Sequence, residues 1–116
     1  MTVDLDADFS ETENAIFSEG EGKTGYFFIV SRGEYMCAKL IANYLGWKFV
    51  GGDSILKFDR DGALDVKKSV FCTKSALKKV KNCVISGFYG SDDNGAVRLL
   101  PRGGSDVSGS IVAAAT

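Results

Sequence analysis

Residues 101–106 read Pro-Arg-Gly-Gly-Ser-Asp and run directly into residues 107–115, a stretch of small and apolar residues that predicts a helix. Two glycines admit tight backbone geometry, and Ser105 or Asp106 can cap the helix. The free N–H groups at a helix start attract anions, and the Arg102 guanidinium can bind a carboxylate or phosphate through two hydrogen bonds. The segment therefore predicts an anion-binding loop; the alternative is a glycine-rich turn with a surface arginine.

Helices and short apolar strands alternate on the N-terminal side of this loop. Residues 47–50, 55–58, 83–85 and 97–100 are strand-like, and residues 66–81 carry apolar residues at helical spacing. Alternation of this kind predicts an α/β layered fold with at least partly parallel strand pairing.

Two Ser-x-x-Glu capping boxes predict helix starts further upstream. Ser10 and Glu13 predict a short helix near the N terminus, and Ser31 and Glu34 predict the start of a second, largely buried helix. The aromatic and β-branched residues 26–30 favour a strand before that second helix.

The composition excludes several classes of protein. Lys and Arg total 14 against 15 Asp and Glu, so the formal net charge of -1 favours neither nucleic acid nor a membrane as partner. The absence of histidine excludes Cys/His zinc sites and Ser-His-Asp or Cys-His catalysis. The three cysteines lack CxxC spacing and are interpreted as packing residues in a reducing compartment. No stretch offers the ~20 apolar residues of a bilayer span, and the chain is expected to be cytoplasmic.

Six lysines lie within the helix predicted over residues 66–81. They are Lys67, Lys68, Lys74, Lys78, Lys79 and Lys81. A phosphate-rich partner would suit such a segment, but aromatic residues are not interleaved with these lysines and acids elsewhere offset their charge. We interpret the lysines as a solvated helix face.

Three motifs together resemble the aspartate kinase family. They are Ser-Arg-Gly-Glu at 31–34, Gly-Phe-Tyr-Gly-Ser at 87–91 and Arg-Gly-Gly-Ser-Asp at 102–106, in the family's order and with its spacing. The resemblance is specific over residues 31–112 and weak over the lead-in, residues 1–30. It implies that the whole chain is one partial amino acid kinase domain. This would be a central fragment of the catalytic domain, with a layered α/β/α sheet that is incomplete here.

The resemblance implies ATP-dependent phosphorylation of the L-aspartate side chain to aspartyl-4-phosphate, the first step of lysine, threonine and methionine biosynthesis. ATP and magnesium are the implied cofactors, L-aspartate and ATP the partners, and the parent protein is expected to be a homo-oligomer. Such chemistry needs no enzyme nucleophile, because it depends on positioning and charge neutralisation. The family's phosphate-binding lysine and its nucleotide pocket have no counterpart in this sequence. The isolated chain is therefore expected to be inactive.

The substrate-binding residues implied by the resemblance come from two of the motifs. They are Ser31, Glu34, Arg102, Gly103, Gly104, Ser105 and Asp106. Glu34 would hold the substrate's ammonium group and Arg102 a carboxylate, while Ser105 and Asp106 would complete the pocket. The structural alternative for Glu34 is its capping box. The functional alternatives are a non-catalytic amino-acid-binding or interaction domain derived from this fold, and another acyl-phosphate kinase of the superfamily.

Overall fold

The computed structural model describes residues 5–17, 22–101 and 103–116. Its helices are α1 (Asp6–Phe17), α2 (Gly22–Leu45), α3 (Gly52–Ile55), α4 (Val66–Leu77) and α5 (Gly104–Ala115). Its strands are β1 (Lys48–Val50), β2 (Cys83–Ile85), β3 (Tyr89–Ser91) and β4 (Val97–Leu99). The α/β class predicted from the alternation of elements is confirmed.

Strand pairing in the described part of the chain produces two small sheets of two strands each. β1 and β2 are parallel, with Phe49 opposite Val84, and β3 and β4 are antiparallel, with Gly90 opposite Arg98. Parallel neighbours need a crossover connection, which α3 and α4 provide here. The predicted parallel pairing is therefore present, although it is limited to one pair of strands.

The hydrophobic core lies where α3, α4 and α5 meet the two sheets. Its buried members are Val50, Ile55, Leu56, Phe58, Leu100 and Ile111. α4 starts at a side-chain cap, because the Asp65 carboxylate accepts a hydrogen bond from the Lys68 backbone N–H at 3.0 Å. α4 packs against both α3 and α5 and so connects the core to the last helix.

The N-terminal half differs most from the sequence prediction. Residues 26–30 are helical, so the predicted strand is wrong. Ser31 and Glu34 lie in the middle of α2, and Ser10 lies inside α1, so neither predicted capping box marks a helix start. The helices themselves are present but begin earlier than the capping boxes indicated.

Side-chain packing explains why α2 extends through its aromatic segment. Helical spacing places Phe28, Arg32 and Tyr35 on one face. The Arg32 guanidinium carbon lies 4.4 Å from the Phe28 ring centre and 4.2 Å from that of Tyr35. These cation–π contacts exist only in a helix, and they oppose the β propensity of the segment.

The C-terminal turns of α2 are less buried than predicted. Ala38 and Ala42 are buried, but Tyr44 is 87% exposed and Leu40 and Ile41 are about half exposed. The apolar residues of this part of the helix lie on all of its faces, whereas only one face packs against the described chain. The sequence pattern therefore predicted more burial than one packed face provides.

Two other predicted elements are changed. Ile55 ends α3, while Lys57 and Phe58 form isolated bridges to Ser91 and Leu64, so residues 55–58 are not a regular strand. α4 ends at Leu77 because the backbone turns at Lys79, which has a positive φ of 63°. Among the described residues, no helix is long and apolar enough to cross a bilayer.

Tyr89 is fully buried beside the edge of the parallel strand pair. Its hydroxyl lies 2.6 Å from Ser86 Oγ, which accepts a hydrogen bond from the Gly52 backbone N–H at 3.1 Å. Burial raises the pKa of the Tyr89 phenol above its ordinary value, while the hydrogen bond with Ser86 opposes that shift.

This buried phenol predicts a loss of stability at alkaline pH. The unfolded chain ionises Tyr89 near pH ~10, before the folded chain does, so the free energy of unfolding should fall as pH rises through that value. Tyr89→Phe should remove that part of the decline. Urea unfolding at a series of alkaline pH values measures it. Identical alkaline losses in the variant and the wild type would contradict the assignment to Tyr89.

Candidate functional site

The candidate site lies at the carboxyl edge of the parallel strand pair. Gly51 follows β1 and Ser86 follows β2, so the loops after both strands emerge on the same side. Ligands of open α/β sheets characteristically bind at this edge. A pocket of about 340 Å³ opens there, lined by Glu34, Ile85, Gly87, Ser105, Ser108, Gly109 and Val112.

Glu34 reaches this pocket from the middle of α2. The helix packs against β1, β2 and β4, which holds it beside the strand ends. The side chain is exposed, and among the described residues its carboxylate forms no hydrogen bond or ion pair. The negative charge is therefore available to a cationic group in the pocket.

The start of α5 forms the opposite wall. Gly103 is its N-cap and adopts a left-handed conformation with φ 85°, without a side-chain cap. Ser105 and Asp106 lie inside the first turn, so the prediction that either residue caps the helix is wrong. The Asp106 and Val107 N–H groups donate to the Gly103 carbonyl at 3.1 and 3.4 Å. The N–H groups before them, at Gly104 and Ser105, make this end of the helix attractive to an anion.

Gly104 has a packing purpose at this helix start. A Cβ atom there would lie 2.7 Å from Leu100 Cβ and 3.1 Å from Phe88 Cβ. Glycine therefore lets α5 approach the loop between β2 and β3 more closely than any other residue could. This close approach brings the motif at residues 87–91 into contact with the motif at residues 102–106.

Ser108 is a site residue that the motif analysis missed. Its hydroxyl accepts a hydrogen bond from the Phe88 backbone N–H at 2.9 Å and donates one to the Gly104 carbonyl at 3.0 Å. Phe88 has a positive φ of 62°, which is uncommon for a bulky residue. Ser108 thus holds the loop after β2 against α5; the i+4 spacing from Gly104 was the available sequence signal.

Ser31 is fully buried, and its hydroxyl is used within α2. The hydroxyl donates to the Phe28 carbonyl at 2.7 Å and accepts from Arg32 Nε at 3.1 Å and Nη2 at 3.0 Å. Ser31 therefore stabilises the helical turn that carries Glu34. Arg102, the remaining side chain predicted to bind substrate, lies outside the described residues.

Five of the seven predicted site residues line two neighbouring pockets that share Ser105. Glu34 and Ser105 meet in the pocket described above. The other predicted members, Gly103, Gly104 and Asp106, line a second pocket of about 340 Å³ together with Phe88, Leu100 and Pro101. The structure therefore brings the first and third motifs together at Ser105.

Metal-binding side chains do not cluster in the described part of the chain. No group of three or more Asp, Glu, Cys or His side chains in residues 5–17, 22–101 and 103–116 could hold a metal ion. These residues therefore do not fit a magnesium ion held by the protein.

Gly109 provides a test of the pocket. It lies inside α5 and lines the pocket, and a Cβ atom added there would meet no atom within 4 Å. Gly109→Ala should therefore stabilise the helix by about 1 kcal/mol. The same methyl group should weaken ligand binding in the pocket about 10-fold by filling space.

Thermal unfolding and titration with L-aspartate, the substrate that the sequence resemblance implies, measure the two effects of Gly109→Ala. Raised stability with unchanged aspartate binding would show that the ligand does not occupy this pocket.

Comparison with known proteins found relatives among the solved structures. A scan against protein-family models gave no match, and a search of the curated proteins gave none either. Among solved structures, aspartate kinase from Clostridium acetobutylicum is 34% identical, with a TM-score of 0.83 over 99% of this chain and 26% of its own. E. coli aspartokinase III with lysine and aspartate is 20% identical, with a TM-score of 0.76 over 94% of this chain and 28% of its own. The same enzyme with aspartate and ADP is 19% identical, with a TM-score of 0.72 over 90% of this chain and 26% of its own.

The fold is therefore the mixed α/β fold of an aspartate kinase domain. By sequence identity and structure together, the chain is similar to part of an aspartokinase. It spans about a quarter of the length of the solved enzymes it matches.

Proposed function

We propose that this chain forms the L-aspartate-binding part of an aspartate kinase. The protein would transfer a phosphoryl group from ATP to the substrate's side-chain carboxylate. The proposal rests on the pocket in which Glu34 and Ser105, from two distant motifs, face one ligand-sized space. The 34% identity to the Clostridium acetobutylicum enzyme supports it.

Each end of the pocket has a distinct role toward an amino acid. The exposed carboxylate of Glu34 would accept hydrogen bonds from the substrate's ammonium group. Ser105, the first N–H groups of α5 and the guanidinium of Arg102 would bind a carboxylate. Asp106 and the backbone at Gly103 and Gly104 would order that end of the site. Ser31 would contribute by stabilising the α2 turn behind Glu34.

In this proposal, the residues of this chain form the acceptor side of the reaction. When bound, ATP supplies the phosphoryl group, with magnesium as its counter-ion. This chain's residues would bind the aspartate and orient its side-chain carboxylate, and correct orientation of two reactants can lower a barrier by ~7–11 kcal/mol. The residues named here therefore act by binding and positioning rather than as nucleophiles.

Ligand selectivity tests the amino-acid site directly. L-Aspartate added to the 116-residue chain should shift the NMR signals of Glu34, Gly87, Ser105 and Gly109, whereas succinate, which lacks the ammonium group, should bind at least about 10-fold more weakly. Equal binding of the two ligands would remove Glu34 from the proposed role, and shifts confined to other surfaces would reject the pocket.

Hydroxylamine trapping of aspartyl phosphate tests the kinase reaction. The protein encoded by the complete reading frame is incubated with ATP, magnesium and L-aspartate, and succinate is the matched control substrate. Hydroxamate that forms with aspartate but not with succinate supports the kinase activity. Aspartate binding without hydroxamate would instead favour a non-catalytic amino-acid-binding domain.

A further inference from the structure

A third pocket lies at the opposite, amino-terminal edge of the parallel strand pair. Its volume is about 440 Å³, and it is lined by Gly46, Trp47, Lys48, Lys78, Lys79, Val80, Lys81 and Asn82. One lining segment ends at Lys48, the first residue of β1, and the other, residues 78–82, immediately precedes β2. Three residues of strand, roughly 10 Å, separate this lysine pocket from the edge that carries Glu34.

Charge in the lysine pocket is of one sign. Lys48, Lys78, Lys79 and Lys81 line it without an acidic neighbour in the lining. Among the described residues, these lysines form no ion pair; the basic partners in the ion pairs there are Lys39, Lys68 and Arg98. In a chain with a net charge of -1, this is a local concentration of positive charge.

The helix dipole alone does not explain the arrangement. Lysines at the C-terminal end of α4 interact favourably with the dipole, which accounts for Lys78 and Lys79. It does not account for Lys48, which comes from a distant segment, or for the 44% exposed ring of Trp47 beside the lysines. Convergence of the two segments is a separate feature of the fold.

The backbone at Lys79 is a further signal. Its φ of 63° places it in the left-handed region just after the Lys78 C-cap, where glycine is the usual residue. A lysine therefore occupies a position where the presence of any side chain disfavours the backbone conformation. Lys79 nevertheless lines the pocket.

We propose that the lysine pocket binds an organic polyphosphate of the nucleotide class. Lysines bind phosphate groups as point charges, and an exposed tryptophan offers a stacking surface for a planar base. The volume of about 440 Å³ suits a ligand of that size. The site is distinct from the pocket at Glu34 and does not rest on the proposed kinase activity.

Trp47 is the single tryptophan of the chain and reports on the lysine pocket. ATP without magnesium should change the fluorescence of Trp47 in a saturable way. From that change, ATP should bind about 10-fold more tightly than either inorganic tripolyphosphate or adenosine. Added salt should weaken the binding. The absence of a saturable change, or equal affinity for ATP and tripolyphosphate, would overturn the proposal.

Lys79→Gly separates binding from folding at this site. The substitution removes the charge and relieves the positive φ, so the melting temperature should rise while ATP affinity falls about three- to fivefold. Lys81→Gln should also weaken ATP binding, which tests the charge without changing the turn. Lys74→Gln, on α4 but outside the pocket, is the matched control and should leave ATP affinity unchanged.

A further comparison distinguishes this proposal from the aspartate site. Glu34→Gln should leave the ATP-dependent change at Trp47 intact, even if aspartate binding is lost. Wild-type ATP affinity in both Lys79→Gly and Lys81→Gln, or equal losses in Lys74→Gln, would reject the lysine pocket whatever the outcome at Glu34.

Discussion

Glu34→Gln is expected to weaken L-aspartate binding by about 10- to 150-fold. A hydrogen bond between charged groups contributes ~1.5–3 kcal/mol, and glutamine retains the shape of the side chain but not its charge. The structure removes the competing structural role, because Glu34 lies in the middle of α2 and cannot be part of a capping box at its start. The stability of the chain should therefore change little. Isothermal titration and thermal unfolding measure the two quantities.

The matched control for this prediction is Glu11→Gln. Glu11 is an exposed residue of α1, outside the pocket, so its replacement removes the same charge from the chain without touching the site. Succinate provides the ligand control, since its weak binding should be nearly the same in Glu34→Gln and wild type. Wild-type aspartate affinity in Glu34→Gln would show that Glu34 does not hold the ammonium group.

Gly90→Ala is expected to reduce the free energy of unfolding by roughly 3 kcal/mol, near the upper end for overpacking. A Cβ atom at Gly90 would overlap the Leu56 carbonyl oxygen and lie 2.7 Å from Leu56 Cβ. The overlapping atom belongs to the backbone, which a rotamer change cannot move. Because a domain is stabilised by only ~5–15 kcal/mol, this loss is a large fraction of the total.

The control is the same substitution in open space. Gly33 lies within α2, and a Cβ atom there would meet nothing within 4 Å, so Gly33→Ala should stabilise the chain by about 1 kcal/mol. Urea unfolding followed by Trp47 fluorescence measures both variants. Equal effects of the two substitutions would show that the close approach of Gly90 to Leu56 is not as tight as described.

Elements defined by local chemistry were the predictable part of the fold. β1, β2 and β4 were expected within one or two residues of their observed bounds. Two Asp-x-x-Gly turns, at residues 59–62 and 92–95, are also defined locally. In the first, Asp59 accepts hydrogen bonds from the backbone N–H groups of Asp61 and Ala63, and Gly62 adopts a positive φ of 82°. Such turns depend on side chains a few residues apart, so the sequence contains the whole interaction.

Elements that depend on distant packing were predicted less well. Local propensity favoured a strand over residues 26–30, but the contact of Arg32 with the Tyr89 ring and the packing of α2 against β4 favour the long helix α2. The loop after β2 shows the same dependence. Phe88 keeps its positive φ because Ser108, twenty residues further along, accepts a hydrogen bond from its N–H. No local rule contains that contact.

For the candidate site, the sequence by itself determined which chemical groups are available: a carboxylate at Glu34 and an anion-attracting glycine-rich segment, residues 101–106, that leads into a helix. Tertiary structure alone decided that Glu34 and Ser105 share a pocket, that Ser31 supports its helix from inside, and that lysines from two segments converge at the opposite edge. The physical reason is that residue type sets what a side chain can bind. Which side chains face the same space depends on long-range packing free energy, which local propensity and spacing do not contain.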